Sequence, residues 1–153
     1  MFDPFLPATE LAELIRRRET TSVEVVSGYL DRIDRLNPEL TAIVWLDPEA
    51  TLAAARAADA ALAAGREVGA LPRRPHPDQG PHRPVQGQPC YYGSLGTSEE
   101  PAGEERAGGR PAAAAGFVLM GRSAAPEAGT MSVTESRRFG ITRNPWDTTR
   151  SPG

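Results

Sequence analysis

Covalent catalysis needs a nucleophile and a group that moves its proton, and this chain offers few of either. Its hydroxyls include Ser132, Ser136 and Ser151, its imidazoles are His76 and His82, and its thiol is Cys90. It has no lysine, since all 17 of its Lys+Arg residues are arginine. A guanidinium stays protonated and cannot serve as a base. A Ser–His–Asp arrangement remains open to these residues, yet both histidines sit on a Pro-rich segment, a poor platform for fixed geometry. His76, Asp78 and His82 fit no zinc-ligand spacing, so no metal is expected there. Nothing next to Cys90 in sequence would activate its thiol, which reads as a partly buried side chain.

The elements that would position these groups fall into a pattern. Thr9 can cap a first helix with Leu11, Leu14 and Ile15 on one face, and Arg16–Arg18 suit the negative end of its dipole. Thr21 and Glu24 form a capping box for a second helix carrying Val26, Tyr29, Leu30 and Ile33. Pro38 predicts a stop near Asn37. Residues 42–46 (AIVWL) read as a strand. Asp47 then caps an Ala-rich helix that has Pro48 at its first position and runs to Gly65. Phe117–Met120 reads as another strand, followed by a loop over residues 121–127. The last stretch, MSVTESRRFGITRNPWDTTRSPG, is full of turn chemistry. There Asn144-Pro145 before Trp146 predicts a turn pinned by a buried ring.

Charge and composition narrow the classes. A net charge of −3 gives no electrostatic reason to bind nucleic acid or an anionic membrane. A single cysteine excludes an internal disulfide and suits a reducing cytoplasm. No apolar run reaches the length of a membrane span, and Met1–Pro7 lacks the features of a signal peptide. The segment at 72–84, PRRPHPDQGPHRP, holds five prolines and no aliphatic residue, so it reads as an exposed, poorly ordered loop.

The run Ser132–Ser136, then Phe139-Gly140, Thr142–Asp147 and Arg150–Gly153, resembles the approach to the serine–glycine loop of the amidase signature enzymes. The opening order of helix, helix, strand and Ala-rich helix is similar to that family too, as is Gly87-Gln-Pro-Cys-Tyr-Tyr-Gly-Ser94. The resemblance implies an α/β fold, with helices packed on a mixed β-sheet, of which residues 1–153 form an incomplete N-terminal part. It implies hydrolysis of small-molecule carboxylic amides by a Ser–cis-Ser–Lys triad, with no cofactor. It places substrate contact at Gly129, Met131 and Ser132. The family lysine falls at the codons of Gln79 and Gly80, and both triad serines are expected beyond Gly153. Ala124 stands where the family has an asparagine. A catalytically inactive fragment is therefore expected; the competing expectation is a non-catalytic interaction or regulatory fragment using its exposed helical faces.

Residues 72–86 and 104–113 break the family texture, and codon degeneracy offers a reason. Read one base later, the codons for Arg73–His82 permit Gly-Val-Pro-Ile-Pro-Ile-Lys-Asp-Leu-Thr, an alternating strand leading into Lys-Asp. Those for Ala107–Ala113 permit Pro-Val-Val-Ala-Arg-Leu-Arg. Both segments are thus expected to be irregular as translated, and to be out of frame.

Overall fold

A computed structural model describes residues 3–66, 75–79 (backbone only), 87–97, 100 and 116–152. The element order is α1 (Ala8–Arg16), α2 (Ser22–Leu40), β1 (Ile43–Leu46), α3 (Pro48–Ala63), β2 (Pro75–Gln79), β3 (Val118–Ser123), a 3-10 turn (Glu127–Gly129), β4 (Glu135–Ser136) and β5 (Gly140–Ile141). The fold is α/β, as the resemblance implied.

Two of the three helices begin where side chains make them begin. At α2 the Glu24 N–H donates to Thr21 Oγ1 (3.1 Å), and the Thr21 N–H donates back to Glu24 Oε2 (2.9 Å). At α3 the Asp47 carboxylate accepts the Ala50 N–H at 2.9 Å, with proline in the first turn. The start of α1 differs from expectation: Pro7 precedes its first residue, no side chain caps it, and Thr9 lies inside the helix. Pro7 fixes its own φ at -54° immediately before the first helical residue, whereas the Thr9 hydroxyl two residues later lies past the capping position. The second helix also runs past its expected stop, with Pro38 inside it. The chain accepts the lost bond because the end is held elsewhere. The Thr41 N–H closes on Asn37 O (2.8 Å), and the Asn37 carboxamide binds Ala42 N–H (2.9 Å) and both Ile43 N–H and C=O (2.8 Å each).

The capping box makes acid sensitivity predictable. The Thr21 N–H, and after it the hydroxyls of Thr20 and Thr21, hold the Glu24 carboxyl below its ordinary 4.5. A depressed carboxyl contributes stability above its unfolded pKa and loses it as pH falls through the folded one. An acid titration of helical circular dichroism should therefore lose signal below pH 4.5, and Glu24→Gln should flatten that limb. An unchanged limb in the variant would contradict the assignment.

The chain divides into two compact units. The first comprises Met1–Ile33, Asp47–His76 and Pro111–Met120. Its core joins Leu11 and Ile15 of α1 to Val25 of α2, with Tyr29 and Leu62 packed alongside. A second cluster joins Val26, Ala55 and Val118. Burying each large aliphatic side chain of this kind contributes about 1.5–3 kcal/mol. Tyr29 keeps its polar tip satisfied by donating to Pro4 O at 3.2 Å. Asp59 on α3 accepts the N–H groups of Ser22 (2.8 Å) and Val23 (3.1 Å), so one helix caps the other across 37 residues of sequence.

The second unit comprises Asp34–Leu46, Pro77–Arg110 and Gly121–Gly153. Strand β1 pairs antiparallel with the end of β3: Ile43 faces Ser123, Trp45 faces Arg122 and Leu46 faces Gly121. The sheet order is β1-β3-β2, so β3 is central. Gly121–Ser123, expected as loop, belongs to this central strand. Gly121 allows it, because a Cβ there would lie 2.3 Å from Trp45 O.

The segment expected to be wholly irregular is also partly regular: Pro75–Gln79 is a strand, on the sheet edge. Pro75 and Pro77 are two residues apart, so their missing donors fall on one side of the strand, which an edge tolerates. The remainder of 72–86, with His82, lies outside the described residues, as does all of 104–113.

Candidate functional site

The loop after β3 carries the residues to which the resemblance assigned substrate contact, and the second unit holds it by backbone contacts. Ala124 N–H donates to Ala42 O at 2.8 Å. Ala128 N–H donates to Tyr92 O at 2.8 Å, and both of these non-glycine residues have left-handed φ, 53° and 50°. Such conformations cost on the order of 1–3 kcal/mol each and persist only where neighbours over-determine them. The neighbour here is Gly93, where a Cβ would lie 2.9 Å from Ala125 O. The segments 91–93 and 125–128 thus approach backbone to backbone.

Gly129, Met131 and Ser132 follow on this loop and are all solvent-exposed, Met131 at 60%. They share one loop, but no base stands beside Ser132 in any hydrogen bond of the described residues. The other two candidate serines bind backbone: Ser136 Oγ accepts the Phe139 N–H within a turn (3.0 Å), and Ser151 Oγ accepts the Thr134 N–H from 17 residues away (3.4 Å). A groove of about 460 Å³ lies in the first unit against α3 and the start of β3, lined by Ala54, Ala57, Ala58 and Phe117 among others, with no acid–base group.

Two arginines organise the surroundings, and sequence reasoning missed both. Arg138 donates to Ser94 O (2.9 Å) and Thr97 O (3.2 Å) and lies 4.3 Å over the Tyr91 ring. Tyr91 in turn meets Phe139 edge-on at 5.1 Å. Arg122 on β3 is 1% exposed, with Nη2 3.8 Å from Cys90 Sγ. The thiol therefore does have a cationic neighbour, one placed 32 residues away in sequence. These partners leave no local pattern, because they depend on strand and loop placement.

The β4–β5 ribbon and the turn after it complete the unit. Thr142 Oγ1 donates to Thr41 O (3.0 Å) and Arg143 N–H to Leu40 O (2.8 Å), anchoring the ribbon to the end of α2. The Asn-Pro turn forms as expected, but its ring does not pin it: Trp146 is 91% exposed. Polar contacts hold it instead, with Asn144 Oδ1 taking the Trp146 N–H (2.9 Å) and Asp147 taking the Thr149 N–H (3.1 Å) and hydroxyl (2.6 Å). The Thr149 hydroxyl, then its N–H, holds the Asp147 carboxyl below its usual value. Among the described residues no cluster of His, Cys, Asp and Glu is placed to hold a metal. The side chains of His76, Asp78 and His82 are outside that description.

The chain is similar to known proteins in sequence and in fold. The family model described as Amidase matches residues 24–153. The chain belongs to the amidase family. It is 40% identical over 146 residues to a glutamyl-tRNA(Gln) amidotransferase subunit of Chromobacterium violaceum, covering 94% of this chain and 29% of that protein. It is 36% identical over 146 residues to the counterpart from Acidothermus cellulolyticus, covering 95% and 29%. The solved structure of 6-aminohexanoate cyclic dimer hydrolase complexed with substrate superposes with a TM-score of 0.84 at 26% identity, covering 98% of this chain and 30% of that one. The chain thus spans less than a third of the length of these amidase relatives. Gln79, the position that the resemblance gave to the family lysine, is the last residue of β2.

Proposed function

We propose that this chain belongs to the machinery for cleaving a small carboxylic amide, and that residues 1–153 do not themselves cleave one. The observation that carries this reading is the absence of lysine from the whole sequence; the resemblance gives the family lysine's slot to Gln79. A neutral lysine can pass a proton because desolvation lowers its pKa. Neither a glutamine amide nor a guanidinium can take over that role. The loop Gly129–Ser132 is proposed as the wall that meets the substrate, since it is exposed and follows directly on the strained Ala128 that packs against Tyr92.

Within amide chemistry, the 36–40% identity to the amidotransferase sequences favours an amidotransferase-type ancestry over a free-standing hydrolase, whose solved example is 26% identical. A net charge of −3 gives no reason to propose direct nucleic-acid binding by these residues. No helix of the described residues is long and apolar enough to cross a membrane, and the cytoplasm is the proposed location. The non-catalytic interaction reading has no observation of its own in its favour.

The missing base is proposed to be a reading-frame effect. Strand β2 forms over Pro75–Gln79, a segment (PHPDQ) with no β-branched or aromatic residue. The codons one base later permit an alternating apolar strand over those positions, ending in lysine.

The catalytic half of the proposal is tested by incubating the pure chain with glutamine and with simple aliphatic and aryl amides and measuring ammonia or amine release. Release is expected to match that of buffer. Turnover that disappears on changing one of the chain's own side chains would overturn the proposal.

A further inference from the structure

No further inference is drawn: the strongest candidate, the exposed apolar side chains Met131, Val133, Ile141 and Trp146 along the β4–β5 ribbon and the turn after it, is an unpartnered face, and nothing in the structure shows what covers it.

Discussion

Gly121→Ala is expected to destabilise the chain by about 3 kcal/mol or more, the upper range for forcing atoms into a filled interior. The added Cβ would lie 2.3 Å from Trp45 O and 3.3 Å from Leu46 Cα. Both are backbone atoms of β1, so no side-chain rotation relieves the clash. The strand must shift, and shifting it disrupts the register that pairs Trp45 with Arg122 and Leu46 with Gly121. Gly96→Ala is the control. A Cβ there meets only Ser94 Oγ at 3.7 Å, and a change within about 0.5 kcal/mol is expected. Urea denaturation of both variants decides the matter, and equal midpoints would contradict the close approach of β1 and β3.

Asp59→Ala is the second large effect, expected at about 2–4 kcal/mol, because two hydrogen bonds to one carboxylate are lost together. The Ser22 and Val23 N–H groups belong to the first turn of α2, where no backbone acceptor exists. Ser22 is fully buried, and its hydroxyl has no hydrogen-bond partner among the described residues, so water has poor access to replace the carboxylate. Asp59→Asn keeps one oxygen acceptor and should lose roughly half as much. A loss below about 0.5 kcal/mol for Asp59→Ala, measured by urea unfolding, would show that the contact between α3 and α2 contributes little.

The sequence made legible those features that neighbouring residues decide. Thr21 with Glu24, and Asp47 with Pro48, mark helix starts because the cap and its N–H partner lie within one turn. The amidase family was legible in Ser132–Gly153, where turn residues occur in a fixed order. Asp59, Arg122 and Arg138 were not legible. Their partners lie 36–37, 32 and 41–44 residues away, and only the assembled fold brings them near. Pro38 misled because local preference against helix was outweighed by the Asn37 contacts to β1. Trp146 misled because a large ring usually seeks burial, whereas polar side chains and backbone hydrogen bonds hold its turn. Strand β2 was missed because prolines argue against a central strand, and the sheet places this one on an edge.

For the candidate site the balance is similar. Residue types removed the family's lysine base before any geometry was known, since the chain has no lysine and no fold can make an arginine accept a proton at neutral pH. The loop positions Gly129, Met131 and Ser132 came from resemblance. The left-handed pair Tyr92 and Ala128 that braces their loop emerged from the structure alone.

Sequencing the gene through codons 73–113 tests the frame-slip explanation most directly. Compensating single-base insertions and deletions relative to intact amidase genes are expected, with the shifted frame reading Val-Pro-Ile-Pro-Ile-Lys where the chain has Arg74–Gln79. Intact genes that encode the Pro-His-Pro-Asp-Gln peptide as it stands would contradict it.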